Sequence, residues 1–288
     1  MATRQKCRAF VLGGGGARGA LQVGALRALF EAGFKPDLLV GTSIGAVNSA
    51  GLALWGVNLT GVDALERAYQ EVSNANLMDP RLSRIMLRAL SGRPNHHASR
   101  RVAEYLISKG ITPDVRFDQF THIRLALIGS DLNTGQPIIY GQDPGQSVLE
   151  GILASIAIPP FFAPLLKDGQ FIMDGGALSP LPVEPAMVLG ATEIIALDLD
   201  DREGMLGVDN ATSQALEKLV FSVNRRQADI EMALAAARNV PVHYLMLKSS
   251  PPAPIWDFSK HRELFQAGYE IASRAIPGWL KTRQSEPW

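Results

Sequence analysis

Short apolar runs alternate along the chain with longer stretches whose apolar positions recur every three to four residues. Arg8–Leu12 (RAFVL) is predicted as a strand and Ala20–Ala32 (ALQVGALRALFEA) as a helix. A second strand is predicted at Leu38–Gly41, followed by a helix from Ile44 to about Trp55. His122–Ser130 and Pro137–Tyr140 flank Asn133-Thr134-Gly135 and read as a hairpin. Phe171–Asp174, Glu193–Asp198 and Val242–Leu247 read as further buried strands, and Thr212–Arg238, free of Gly and Pro, as a long helix. This alternation predicts an α/β fold with a mostly parallel central sheet and helices on both faces. No repeat or linker divides the chain, so residues 1–288 are expected to form one domain. Residues 63–110 break the alternation and read as a helical insertion packed over one end of the sheet. Residues 212–288 supply the C-terminal strand and helices.

Charge narrows the partners. The 28 basic and 28 acidic residues cancel, which argues against nucleic acid, since phosphate binding needs an excess of Lys and Arg. The single cysteine, Cys7, excludes a disulfide framework within the chain, and with five scattered histidines it makes no zinc set. Only Ala9–Leu12 follow the basic start as an apolar run, short of the roughly 7–15 residues of a secretory signal. Residues 38–62 carry no charge and are long enough to cross a bilayer, but their glycines, serines and asparagines fit a strand, a tight turn and a buried helix. A soluble, cytoplasmic protein is expected.

Three motifs carry chemistry. Gly13-Gly14-Gly15-Gly16-Ala17-Arg18-Gly19 lies between a strand and a helix. Gly14-x-Gly16-x-x-Gly19 matches a dinucleotide fingerprint, which demands an acid at the end of the second strand; Asp37 stands at about the right distance but precedes that strand. The other reading is a row of backbone N–H groups at a helix N-terminus, a site for a developing oxyanion. Gly41-Thr42-Ser43-Ile44-Gly45 follows a strand and opens a helix, the setting of a nucleophile elbow with Ser43 at the positive end of the helix dipole. Asp174-Gly175-Gly176 ends an apolar run and, by itself, is equally a simple Asp-Gly turn.

A nucleophilic serine needs a base. His243 and His261 come late enough in the chain to complete a triad, but His243 lies within an apolar strand pattern and His261 in a charged segment. His96, His97 and His122 carry no distinguishing pattern. Only one strand precedes the elbow, which argues against the α/β-hydrolase fold.

Together the motifs resemble the patatin-like phospholipase family, in which a Gly-rich oxyanion loop, a G-x-S-x-G nucleophile and an Asp-Gly-Gly/Ala base follow in this order. Ala154-Ser155-Ile156-Ala157-Ile158-Pro159-Pro160-Phe161-Phe162 matches a fourth family feature, and the likeness covers about residues 10–199. The resemblance implies a three-layer α/β/α fold and a Ser43–Asp174 dyad without histidine. Backbone N–H groups of Gly14, Gly15 and Gly16 would hold the oxyanion, with Arg18 adding charge or fixing the loop. Gly19, Gly41, Gly45, Gly175 and Gly176 are the motif glycines. It departs from the family at Ser179, where an Asn is common. The implied substrate is a phospholipid, a lysophospholipid or another fatty-acyl ester, and no cofactor is required.

Ile156, Ile158, Pro159, Phe161, Phe162, Leu165 and Leu166 are candidates for an acyl channel, with core packing as the alternative. Arg81, Arg84, Arg88, Arg93, Arg100 and Arg101 form a basic segment suited either to an anionic lipid surface or simply to solvent. Two other functions stay open on the sequence: a carboxylesterase for small soluble esters, and a nucleotide-binding protein using the Gly13–Gly19 loop.

Overall fold

Near-continuous apolar strands arise because each strand feeds two cores, alternate side chains pointing to opposite faces. In β1 (Arg8–Leu12), Phe10 and Leu12 enter one core while Ala9 and Val11 enter the other. The same division holds in β2 (Leu38–Thr42), with Leu39 opposed to Leu38 and Val40, and in β7 (Glu193–Asp198), with Ile195 and Leu197 opposed to Ile194 and Ala196. A computed structural model of the protein describes residues 6–75, 96–159, 161–199 and 211–285.

The first core is covered by α1 (Gly19–Glu31), α2 (Ile44–Trp55), α3 (Leu59–Ala75), α4 (His96–Ser108), α5 (Val148–Ser155) and α8 (His261–Ser285). The second lies under α6 (Val183–Val188) and α7 (Ala211–Ala237). The result is the three-layer α/β/α arrangement expected. α3 begins at Leu59, ahead of the expected insertion, and its Val62, Leu65 and Tyr69 belong to the first core. Arg81, Arg84, Arg88 and Arg93 lie outside the described residues.

Among the described residues the sheet has eight strands, in the order β5 (Leu165–Lys167), β6 (Gln170–Asp174), β3 (Arg124–Asp131), β2, β1, β7 and β8 (Val242–Met246), with β4 (Gln136–Tyr140) also paired to β3. The pairs β3–β2, β2–β1, β1–β7 and β7–β8 are parallel. The β3 (Arg124–Asp131)–β4 (Gln136–Tyr140) hairpin is the one the sequence predicts. Three elements carry too little periodic signal to be read in advance: β5 (Leu165–Lys167), which pairs antiparallel with β6 (Gln170–Asp174), and the short helices α5 and α6.

The register along β3 fixes the geometry that follows. β2 takes one edge of β3 from Arg124 to Ile128, and β4 occupies the opposite edge from Leu127 to Asp131. β6 pairs antiparallel with Gly129–Asp131, residues that β4 already covers on its own side, so β6 must lie on the edge that β2 vacates. β2 and β6 therefore run head-on along one edge of β3. Their C-terminal residues meet there, Thr42 opposite Ile128 and Asp174 opposite Gly129.

Candidate active site

Ser43 follows Thr42 in the turn between β2 and α2, with φ 55° and ψ −123°. A non-glycine residue there stores about 1–3 kcal/mol of strain, which the surroundings must hold in place. Two features do so. A Cβ at Gly45 would enter the carbonyl oxygen of Leu12, and one at Gly41 would enter that of Gly45, so the turn closes this tightly only with glycine at both positions. In addition, the Ser43 N–H donates to Ser155 Oγ (2.8 Å), whose own hydroxyl donates to the Ile128 carbonyl (2.6 Å). Ser155 is fully buried, so the Ala154-Ser155 pair props the elbow from α5.

The head-on meeting of β2 and β6 brings Asp174 to Ser43. Ser43 Oγ donates to Asp174 Oδ2 at 2.6 Å, and Asp174 Oδ1 accepts the Gly176 N–H at 2.7 Å. Asp174 is only 3% exposed. Burial pushes its carboxyl up from 3.8 to about 6, with the bonds from Ser43 and Gly176 pulling weakly the other way. A carboxylate with that affinity is a far better base near neutral pH than an exposed aspartate. The histidines lie elsewhere: His243 faces Glu193 (3.4 Å) and stacks near Trp279, while His261 Nδ1 bonds the Phe258 carbonyl (2.9 Å).

The glycine loop separates its donors. The Gly14 N–H is committed to the Pro180 carbonyl (3.0 Å), whereas the Gly15 and Gly16 N–H groups have no acceptor among the described residues. Gly14 itself lies against Ser43 Cβ. Arg18 is buried at 1% exposure, and its Nε donates to the Ala253 carbonyl (2.6 Å), while the Ala17 N–H donates to the Ile255 carbonyl (2.6 Å). Of its two expected roles, this tie supports fixing the loop. Gln22 Nε2 holds the loop from behind through the Gly13 carbonyl (2.8 Å), backed in turn by Asn48 and Tyr69. Asp37, the acid a dinucleotide site would need, instead accepts the Arg8 N–H (2.7 Å) at the far, N-terminal end of β2.

The acyl-channel candidates differ widely in exposure. Phe162 and Ile156 are buried, and Phe161 is half-buried and stacks on Trp256 with ring centres 5.0 Å apart. Pro159 and Ile158 are exposed, and Leu166 is 73% exposed on the β5–β6 hairpin. Sequence reasoning assigned no part to Ser155 or to Ala253–Ile255, and none to Glu231. Glu231 had a visible signal, since it occupies a core-facing position of α7 alongside Ala228 and Ala235. Among the described residues no group of three His, Cys, Asp or Glu side chains is arranged to hold a metal ion.

The chain belongs to the patatin-like phospholipase family, whose model matches residues 10–187. It is 30% identical over 228 residues to an uncharacterized NTE family protein of Mycobacterium tuberculosis, covering 75% of this chain and 56% of that one. It is 26% identical over 278 residues to the lysophospholipase NTE1 of Phaeosphaeria nodorum, covering 90% of this chain and 18% of the relative. The chain thus spans little more than half of the first relative and under a fifth of the second. Among solved structures, VipD from Legionella pneumophila aligns with a TM-score of 0.49 at 15% identity, covering 95% of this chain and 67% of VipD.

Proposed function

We propose that the protein is a serine lipid acyl hydrolase of phospholipase A or lysophospholipase type. The reading rests above all on the 2.6 Å bond from Ser43 Oγ, in its strained elbow, to the buried Asp174 carboxylate. Ser43 Oγ attacks the carbonyl carbon of a fatty-acyl ester as its proton passes to Asp174. The tetrahedral oxyanion takes the Gly15 and Gly16 N–H groups, each such donor being worth ~3 kcal/mol of barrier. The intermediate collapses, and the alcohol leaves with the proton held by Asp174. Water then attacks the acyl-enzyme, giving a proton to Asp174, and the fatty acid departs as Ser43 recovers its hydroxyl. In this reading the chain acts as one catalytic unit. The basic segment Arg81–Arg101, whose Arg100 and Arg101 are exposed on α4, meets an anionic lipid surface.

Hydrolysis of p-nitrophenyl esters from acetyl to palmitoyl tests this with the wild type, Ser43→Ala and Asp174→Asn. The expected result is a rate that rises with chain length and falls on the order of 10³-fold or more in both variants. Equal or falling rates on longer chains would make the protein a carboxylesterase for small esters. Activity surviving in Asp174→Asn would sink the dyad.

A further inference from the structure

The segment from Asp174 to Pro182 joins the three motifs. Its Asp174 is the proposed base. The Ser179 N–H donates to the Gly175 carbonyl (2.8 Å), closing the turn that follows that base. The Ser179 carbonyl accepts the hydroxyl of Thr42 (2.9 Å), the residue before the nucleophile. The neighbouring Pro180 carbonyl accepts the Gly14 N–H of the glycine loop (3.0 Å). Any displacement of Ser179–Pro180 therefore moves the base, the nucleophile and the loop relative to one another.

What holds Ser179 is a carboxylate from a distant part of the chain. Glu231, on α7, is 1% exposed, as is Ser179. Its Oε1 accepts the Ser179 hydroxyl (2.7 Å) and its Oε2 accepts the Glu184 N–H (2.8 Å) at the start of α6. No ion pair to Glu231 occurs among the described residues. Burial pushes the Glu231 carboxyl up from 4.5 to about 7, and an apolar side chain would fill this site at lower cost to the fold. The cost is coherent if both oxygens are needed as diverging acceptors, one for the Ser179 turn and one for α6.

We infer that Glu231 is a positioning residue for the dyad, acting through Ser179 to hold the Asp174–Pro182 segment against Thr42 and Gly14. This inference rests on the Ser43–Asp174 reading. It also gives Ser179 a part of its own: a short hydroxyl at this position reaches the α7 carboxylate while its backbone binds the elbow.

The test uses the full chain and compares Glu231→Ala, Glu231→Gln and Ser179→Ala, with kcat and KM on a long-chain p-nitrophenyl ester referred to folded protein. Glu231→Ala is expected to lower kcat at least tenfold with KM changed less than threefold. Glu231→Gln should recover at least half of the wild-type kcat, because its amide oxygen can accept from Glu184 while its NH₂ donates to Ser179 Oγ. Ser179→Ala should lower kcat in the same direction, and it carries the test if Glu231→Ala does not fold. A kcat per folded molecule within twofold of wild type in the alanine variants would reduce Glu231 to a structural role. A Gln variant no better than Ala would also overturn the inference. Ser43→Ala is the control that separates the two claims: if it keeps the activity, the dyad reading fails and not the anchoring of the segment.

Discussion

Residues Gly41–Gly45 and residues Asp174–Pro182 meet at two hydrogen bonds, Ser43 to Asp174 and Thr42 to Ser179, yet the first stretch largely shapes itself and the second is shaped by its neighbours. The elbow's form follows from two glycines and a strained serine within five residues, seated on the adjacent strand β1. The base segment is fixed from far away in sequence: by β3 through register, by Thr42 and Gly14 through its carbonyls, and by Glu231 through Ser179. A compact motif thus survives as a recognisable string, whereas the carboxylate bonded to its serine depends on contacts no short window contains.

The sharpest way to break this contrast is Gly45→Ala. The new methyl would collide with the Leu12 carbonyl, a backbone atom with little room to yield. The expected outcome is a loss on the order of 3–5 kcal/mol in urea unfolding, or failure to fold. A stable Gly45→Ala protein would mean that the elbow is not locally determined.

The base segment should behave in the opposite sense. The Asp174 carboxyl is raised in the folded state to about 6 from 3.8, so its favourable contribution is complete below about pH 4 and is lost as pH rises through 6. Asp174→Asn removes that penalty. Above pH 7 it should stabilise the fold by up to ~3 kcal/mol in urea unfolding, a gain that disappears near pH 4, even as activity is lost. The same ionisation predicts that wild-type kcat/KM rises with pH through about 6 and then levels. A variant no more stable than wild type at pH 8 would show that the base is not held at the expense of the fold.

The smallest expected effect falls on the prop that ties the elbow to β3. Ser155→Ala leaves the Ser43 N–H without its acceptor, at a cost of about 1–3 kcal/mol in stability. About a tenfold drop in kcat with little change in KM is expected if the strained elbow relaxes, and steady-state kinetics would register it. Unchanged kcat would show that Gly41 and Gly45 suffice to hold Ser43.

Most strands and the long helices were legible because two-core strands and amphipathic helices write their periods into consecutive residues. β1, β2, β7, the β3–β4 hairpin and α7 all fall within a residue or two of their expected positions. The three-residue β5 and the eight-residue α5 escaped because so few residues hold no period. Ser43 was legible for the same local reason. The Gly14 N–H was not read as occupied, because its acceptor, Pro180, is remote in the chain. For the same reason the tie of Arg18 to the Ala253 carbonyl, which favours fixing the loop over adding charge, was not legible.

The amino-acid sequence by itself therefore determined the α/β alternation, the elbow and the types of residue available for chemistry, since each depends on dihedral preferences and periodicity over a few neighbours. Only the tertiary structure decided that β6 takes up the edge of β3 where β2 ends, which turns an ordinary Asp-Gly turn into a buried carboxylate 2.6 Å from a serine. It likewise decided that Glu231 reaches Ser179 from α7. Hydrogen bonds and burial between distant segments exist only once the sheet is assembled, and it is burial, not residue type, that raises the Asp174 carboxyl to about 6.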